Sequence, residues 1–325
     1  MKAANHFQPM DKIKQMLAVI GEVIPPGSEI VYLDYPVYDN IGDLLIMKGA
    51  EAFFRDYGIT VRKRYSYVNF RQKMAVEDHW IIVCQGGGNF GDLYPHHQRL
   101  REKALKAFPR NRIVILPQTI HFNDPAEERR SLLSFSAHPD LHLFVRDERS
   151  YKTASSFLAN VYLAPDMAHQ LYPIPSNVPG TRLRLGLLRK DQESAEQEVI
   201  LPCDKVADWP QLFTAWDRWL LRQIIKGYSL DRRLGNILPL RSIWHSLAEK
   251  YVARAIVLFS GYDEILTSRL HGHILACLMG KPNLLLDNSY GKNMSYYRLW
   301  TYRLEGHSNE ASAGNYVGDL YPQSS

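Results

Sequence analysis

Short apolar runs alternate with segments of helical periodicity through the first half of the chain. Runs rich in β-branched residues, bounded by glycine, proline and polar residues, predict buried strands. The predicted strands lie at residues 30–33, 61–65, 80–85, 113–117 and 141–145. Segments with the three- and four-residue apolar spacing of helices lie between them, at 42–54, 98–107 and 127–137. Strands that alternate with helices predict a parallel, doubly wound sheet.

A second region with the same alternation follows a cluster of prolines between Pro165 and Pro179, which predicts a linker. A strand at 183–188 and a charged, helix-prone stretch at 192–231 come next. The alternation then resumes with predicted strands at 255–259, 264–267 and 283–286 and a helix at 272–279. We therefore expect an N-terminal helix at 1–29, Rossmann-like domains at 30–175 and 176–305, and a polar tail at 306–325.

Composition narrows the class of protein. The chain has 325 residues and a net charge of +5, and its basic residues are spread out, which disfavours a nucleic-acid binder. A mildly basic protein suits anionic small molecules or an anionic membrane surface as partners. No apolar stretch approaches the length of about 20 residues that crosses a bilayer, and residues 1–27 do not resemble a signal peptide. Three distant cysteines, Cys84, Cys203 and Cys277, predict free thiols, and we expect a cytoplasmic protein.

The run from Trp80 to His97 is the most distinctive part of the sequence, because an apolar strand ends abruptly in three glycines. Gly86, Gly88 and Gly91 fit the G-x-G-x-x-G pattern of dinucleotide-binding loops. The acid expected about 20 residues later is absent, since residues 110–112 are Arg-Asn-Arg. A nicotinamide cofactor is therefore disfavoured, and no other cofactor is indicated.

Charged and polar side chains follow the predicted strands in both halves. Ligands bind at the carboxyl ends of parallel strands, so these residues are candidates for a shared cleft. They are Asp43, Asp92, His97, Arg146, Asp166, Arg189, Arg269, His271 and Lys292.

Several of these residues also have structural interpretations. Asn40 or Asp43 could cap a helix, and Arg146 could pair locally with Asp147 or Glu148. His96 and His97 point about 100° apart on a helix, so at most one of them faces the glycine loop. His271 and His273 do not share a helix face, so no metal site is expected there.

Taken together, five segments resemble the polysaccharide pyruvyl transferase family, most closely bacterial enzymes of exopolysaccharide and biofilm-matrix synthesis. They are Asp34-Tyr35-Pro36 with Asn40-Ile41-Gly42-Asp43, and the segments 85–95, 165–171, 267–273 and 287–293. The resemblance implies two Rossmann-like lobes of GT-B type with a cleft between them. It also implies transfer of the pyruvyl group of phosphoenolpyruvate to a sugar as a ketal.

The resemblance implies roles for named residues. Arg269, Leu270 and His271 would hold phosphoenolpyruvate, and Arg146 and His97 match other donor positions by order and spacing. Arg189 is added here because it ends a strand. Ketal formation needs an acid and a base, and we expect His271 as the acid or phosphate partner and Asp43 or Asp92 as the base. Gly87, Gly88 and Asn89 would form the opposite wall of the cleft, and Asp166 and Lys292 would also bind substrate.

Other interpretations remain open at this point. Arg269 and His271 could hold the phosphates of a nucleotide sugar in a GT-B glycosyltransferase, although the chain contains no Asp-x-Asp motif. The chain could also be a non-catalytic scaffold. Trp209, Trp216 and Trp219 could stack on sugar, but their spacing favours one helix face packed on a core. We expect a saccharide acceptor. Whether the acceptor is lipid-linked, and whether the protein associates peripherally with a membrane-bound synthesis complex at the inner face of the plasma membrane, stays open at this point.

Overall fold

The computed structural model describes residues 8–176, 183–189, 202–234, 238–287 and 291–302. Its helices are α1 Gln8–Met16, α2 Ala18–Val23, α3 Ile41–Asp56, α4 Pro95–Ala107, α5 Pro125–Ser136, α6 Glu148–Ser155, α7 Ala215–Leu234, α8 Leu240–Ser260, α9 Leu270–Leu278 and α10 Lys292–Tyr296. Short 3₁₀ turns lie at Met167–Leu171 and Trp209–Leu212, and a π turn lies at Tyr297–Thr301. No helix among these residues is long and apolar enough to cross a membrane.

The first sheet has seven strands, all of them parallel. They are β1 Glu29–Leu33, β2 Thr60–Tyr65, β3 Ile81–Cys84, β4 Gly87–Gly91, β5 Ile113–His121, β6 Leu141–Val145 and β7 Val161–Leu163. The strand order is β2-β1-β3-β5-β6-β7, and β4 pairs with the second half of β5. The order reverses between β1 and β3, which is the point where doubly wound sheets bind ligands.

The second sheet repeats this plan with four parallel strands among the described residues. They are β8 Arg184–Leu187, β9 Lys205–Ala207, β10 Glu264–Thr267 and β11 Asn283–Leu285, in the order β11-β10-β8-β9. The order reverses between β8 and β10, so this sheet also has a switch point. The predicted α/β architecture with parallel sheets is confirmed.

One hydrophobic core joins the two sheets. Buried side chains of β1 and α3 belong to the same cluster as those of β8, α8 and α9. The backbone of α3 comes so close to the 3₁₀ turn after β7 that a Cβ at Gly49 would lie 2.0 Å from the carbonyl oxygen of Met167. This close approach fixes the middle of α3 against the turn that follows β7.

Three sequence-based interpretations are wrong in detail. Residues 255–259 form the last turns of α8 rather than a strand, because their apolar residues continue the buried helix face of Tyr251 and Val252. The chain does not leave the sheet at the three glycines, where the apolar strand was expected to end; it continues as β4 along β5. Trp216 and Trp219 are 64% and 44% exposed, whereas Trp209 is buried in a separate turn, so the three do not form one packed helix face. The predicted tail and residues 192–201 lie outside the described residues.

Candidate active site

The switch points of the two sheets face a single cavity of about 260 Å³. The loops after β1 and β3 contribute one side, and those after β8 and β10 contribute the other. The cavity is lined by Tyr38, Asn40, Asp43, Tyr67, Gly88, Asn89, Tyr94, His97, Arg146, Arg189, Trp209, Arg269, Leu270, His271 and Lys292. The structure therefore brings together most of the residues that the sequence placed at strand ends.

Asp43 lies at the first turn of α3. Asn40 caps this helix, since its Oδ1 accepts a hydrogen bond of 3.0 Å from the backbone N–H of Gly42, and its Nδ2 donates to Asp43 Oδ2 at 2.7 Å. The Tyr38 hydroxyl also hydrogen-bonds to Asp43. Burial raises the pKa of the Asp43 carboxyl, and nearby His271, His97 and Arg146 only partly offset this. A carboxyl with a raised pKa in a cavity is suited to proton transfer.

Arg146, Asp166 and His271 form a buried group between the sheets. Asp166 is fully buried and accepts a hydrogen bond from Arg146 Nη1, and His271 Nε2 lies 3.3 Å from its Oδ2. Burial acts to raise the pKa of Asp166, but His271 and Arg146 outweigh it and hold that pKa well below its usual range. The carboxylate therefore orients the two cavity residues from behind.

These contacts settle two expectations from the sequence. Arg146 does not pair with Asp147, which instead caps α6 by accepting from the backbone of Ser150 at 2.8 Å. Asp166 was predicted to bind substrate, but it does not line the cavity, and its carboxylate is bound by Arg146, His271 and the backbone N–H of Ala168.

His271 packs against the start of α3. A Cβ at Gly42 would lie 2.6 Å from His271 Nδ1 and 3.0 Å from its Cγ, closer than any relaxed contact. Residue 42 must therefore be glycine, because the imidazole of His271 occupies the space that a side chain would need. With Asp166 on Nε2 and Gly42 beside Nδ1, the ring is held on both edges.

His97 is held by a residue that the sequence did not single out for a role. Asp34 directly follows β1, is 1% exposed and has a left-handed backbone φ of 62°. Its Oδ1 lies 2.6 Å from His97 Nδ1, and its Oδ2 accepts from Arg101 Nη2 at 3.0 Å. Burial acts to lower the pKa of His97, but the carboxylate of Asp34 outweighs it and the pKa is raised. As predicted, only one histidine of the pair faces the cavity, since His96 is exposed.

The glycine segment forms a cavity wall, and only part of it lines the cavity. Arg146 Nη2 and Lys292 Nζ lie 3.1 and 3.2 Å from where a Cβ of Gly88 would stand. Asn89 lines the cavity and is fixed by Arg101, whose Nη1 donates to its backbone carbonyl at 3.1 Å. Gly87 lies behind the wall, where a Cβ would contact Ile46. Because Gly88 has no side chain, the side chains of Arg146 and Lys292 can approach each other over β4.

Asp92 does not fit the role expected for it. Its carboxylate accepts hydrogen bonds from the backbone N–H groups of Asn123 and Asp124, at 2.7 and 2.9 Å, and it does not line the cavity. Asp92 therefore connects the glycine segment to the start of α5. Of the two candidate bases, the structure places only Asp43 in the cavity.

Arg269 and Arg189 come from the second sheet. The Nε and Nη2 of Arg269 both donate to the carboxylate of Asp208, each at 2.8 Å, in a bidentate pair. Asp208 also caps the turn that carries Trp209, so one carboxylate positions both a cation and an aromatic ring in the cavity wall. The backbone N–H of Arg189 donates to Ser268 Oγ at 2.9 Å, which fixes this strand end beside Arg269.

Aromatic residues on the rim were not predicted. Tyr38, Tyr67 and Tyr94 line the cavity, and their rings each meet the imidazole of His97 edge-on. They lie in loops without periodic patterning. Tyr38 and Tyr94 stand within the segments 34–43 and 85–95, which is the one signal the sequence gave, and Tyr67 had none. Among the described residues, no cluster of histidine, cysteine and acidic side chains could hold a metal ion.

Among the described residues, Arg146, Arg189, Arg269, Lys292 and two histidines line the cavity, against the single acid Asp43. Such a concentration of cations is suited to an anion with more than one charged group. The fold and site thus define an α/β protein with two parallel sheets whose switch points enclose a cavity lined by cations, two histidines and Asp43.

Comparisons with known proteins agree with this description. The sequence profile of the family described as "Polysaccharide pyruvyl transferase" matches residues 40–290. The chain is 44% identical to "Putative pyruvyl transferase EpsO" of Bacillus subtilis over 90% of this chain and 91% of that protein. It is 30% identical to "Pyruvyl transferase 1" of Schizosaccharomyces pombe over 84% of this chain and 70% of that protein.

A solved structure of a functionally uncharacterised protein from Klebsiella pneumoniae has a similar fold. Its TM-score is 0.60 at 20% identity, and the match covers 90% of this chain and 96% of that one. The chain belongs to the polysaccharide pyruvyl transferase family, as the sequence segments indicated.

Proposed function

We propose that this protein transfers the pyruvyl group of phosphoenolpyruvate to two hydroxyls of an exopolysaccharide or its precursor, forming a cyclic ketal and releasing phosphate. The observation that carries the proposal is the meeting of Arg146, Arg269 and Lys292 with Asp43 and His271 in one cavity. Phosphoenolpyruvate has a carboxylate, a phosphate and an acid-sensitive double bond, which are the features that such a set of side chains addresses.

The donor anions would divide between two groups of cations. Lys292 Nζ and Arg146 Nη2 converge over Gly88 and would bind one anionic group. Arg269 and Arg189, at the ends of β10 and β8, would bind the other from the second sheet. The two sheets would then act as the two lobes of a GT-B-like protein with the donor between them.

The reaction would use His271 and Asp43 as the proton-transfer groups. His271 would donate a proton to the methylene carbon, which becomes a methyl group, while the neighbouring carbon takes on oxocarbenium character. A sugar hydroxyl then adds to that carbon and loses its proton to Asp43. The carbon–oxygen bond to the phosphate breaks, and phosphate leaves with the bonding electrons and takes up the proton held by Asp43. A second hydroxyl then adds to the carbon and passes its proton to His271, which restores the acid. Asp166 would stabilise protonated His271 during the first step.

The acceptor would lie beside Tyr67 and Tyr94, since both line the cavity and Tyr94 is also exposed. Aromatic rings offer apolar faces to the C–H surfaces of sugars. In this scheme the protein's own side chains supply acid, base and cations, and no further cofactor takes part. The donor is a cytoplasmic metabolite, which fits a cytoplasmic location for the reaction.

Thermal unfolding with candidate donors tests the proposal, because a ligand that binds the native state raises the midpoint. Phosphoenolpyruvate is expected to raise the midpoint, and uridine, guanosine and cytidine diphosphate sugars are expected to leave it unchanged. Phosphate release with a saccharide acceptor, together with a product heavier by one pyruvyl ketal, would then establish the reaction. Stabilisation by a nucleotide sugar alone, with sugar transfer, would instead establish a glycosyltransferase.

A further inference from the structure

The exposed face of α7 carries an aromatic and aliphatic stripe. At 100° per residue, Trp216, Trp219, Leu230 and Leu234 fall within about 60° of one another on the helix. All four are exposed, and the rings of Trp216 and Trp219 stack with centroids 4.6 Å apart. The opposite face, with Leu221, Ile224 and Tyr228, is buried against the core. A helix with one side in the core thus presents a second apolar stripe to its surroundings.

Cations flank this stripe. Arg222, Lys226 and Arg233 are exposed and lie on the neighbouring strip of the same helix, and Arg232 is exposed near its end. The two acids of α7 are turned inward. Asp217 is bound by Arg254, and Asp231 accepts from the backbone N–H of Leu238 at 2.8 Å. The exposed face therefore combines apolar side chains with positive charge, and within α7 no acid offsets it.

We infer that this face of α7 docks on an anionic phospholipid surface. Tryptophan rings favour the boundary between headgroups and acyl chains, and long cationic side chains beside them reach the phosphates. Charge complementarity selects this partner, because the negative surface of a bilayer attracts the exposed basic strip. A second copy of this chain would bring two such basic strips together and is disfavoured by the same charges.

Because α7 begins next to the cavity, docking of α7 would also place the cavity at the membrane surface. Arg218 in its first turns lies 3.7 Å from Asp39, which stands between the cavity residues Tyr38 and Asn40. The tryptophan end of the helix is therefore next to the acceptor side of the cavity. Docking would hold the cavity at the membrane surface, where a lipid-carried acceptor would reach it. This consequence rests on the proposed function, but the docking itself does not.

Flotation with vesicles tests the docking without donor or acceptor. The full chain is expected to bind vesicles of phosphatidylglycerol and phosphatidylcholine in equal parts, and to bind pure phosphatidylcholine far more weakly. The variant W216A/W219A and the variant R222Q/K226Q should each partition about tenfold more weakly onto the anionic vesicles. Matched changes elsewhere, L133A on α5 and K103Q/K106Q on α4, remove similar exposed groups and should leave binding unchanged.

Other outcomes would overturn the inference. Equal binding to both kinds of vesicle, or equal losses in the α4 and α5 controls, would exclude specific docking through α7. A dimer in light scattering that W216A/W219A converts to a monomer would assign the face to a second copy. Phosphate release with a soluble acceptor should be unchanged in the α7 variants, so loss of vesicle binding and failure of the proposed reaction are separable.

Discussion

Gly42 lies in α3, which follows β1 of the first sheet, and His271 lies in α9, which follows β10 of the second sheet. A Cβ at Gly42 would lie 2.6 Å from His271 Nδ1, so no side chain fits there. The first turn of α3 and the first turn of α9 thus share one small space. Asn40 and Asp43 flank the glycine on α3, so the proton-transfer groups of the proposed reaction are built around this contact.

We expect Gly42→Ala to reduce turnover strongly while leaving the fold intact. Alanine favours helices, which only partly offsets the overpacking against His271, so the free energy of unfolding should fall by about 1–3 kcal/mol without loss of the fold. The methyl group would displace the imidazole of His271, and misplacement on this scale costs about 10²-fold in rate. Steady-state kinetics of phosphate release would measure it. Gly261→Ala is the control, since a Cβ there contacts only a carbonyl at 3.6 Å. Near-normal turnover in Gly42→Ala would exclude a tight requirement for the His271 position.

Asp34→Asn should change the pH dependence of donor binding. Asparagine tolerates the left-handed backbone of Asp34 but removes the carboxylate that raises the pKa of His97. In the native protein His97 stays protonated above its ordinary pKa of about 6.5, and its stabilising pair is lost as pH rises through the raised value. In the variant, burial lowers the pKa instead, so protonated His97 is lost at a lower pH.

Calorimetry of phosphoenolpyruvate binding across pH 5 to 9 would detect this change. The loss of donor affinity at high pH should occur at a lower pH in the variant than in the native protein, over a range set by the ordinary histidine pKa of about 6.5. Breaking a buried ion pair also costs stability, roughly 3 kcal/mol. If the pair of Asp34 and His97 were only structural, the variant would lose stability but the pH dependence of donor affinity would not change. An unchanged pH dependence would therefore remove His97 from donor binding.

Asp43→Asn and Asp92→Asn should separate the two candidate bases. Asp43 lines the cavity, and losing a general base costs about 10²- to 10⁴-fold in turnover. Asp92 binds backbone amides outside the cavity, so its replacement should cost about 1 kcal/mol of stability and leave turnover within about twofold. Parallel kinetics and denaturant unfolding would compare them. The opposite order of effects would return Asp92 to the reaction.

Arg269→Lys should weaken donor binding while keeping the charge. Lysine cannot reproduce the bidentate pair with Asp208. The carboxylate of Asp208 would then no longer fix both the cation at position 269 and the turn that carries Trp209. The dissociation constant for phosphoenolpyruvate should rise about tenfold, measured by calorimetry. Arg184→Lys is the matched control, because Arg184 pairs with Glu264 at the opposite end of the same sheet. An unchanged dissociation constant in Arg269→Lys would remove Arg269 from the donor site.

Much of the fold could be predicted because burial sets the local pattern. Strands with continuous apolar runs, such as 81–84 and 113–117, stand between two layers, so their sequences signal them directly. The run at 255–259 was misread because a short apolar stretch is compatible with a strand or with the buried turn of a helix. Trp216 and Trp219 were misread because spacing shows which residues share a helix face but not what covers it.

The sequence by itself determined the elements, the parallel α/β class and the strand-end residues, because these depend on local periodicity and on the rule that ligands bind at carboxyl ends. Tertiary structure alone decided which acids and cations meet. Asp166 binds Arg146 and His271 from behind the cavity, Asp34 at the end of β1 orients His97 on α4, and Asp92 binds the loop before α5, outside the cavity. These pairings join residues 20 to more than 100 positions apart, so only the packing of the strands within the first sheet, and of the two sheets against each other, could select them.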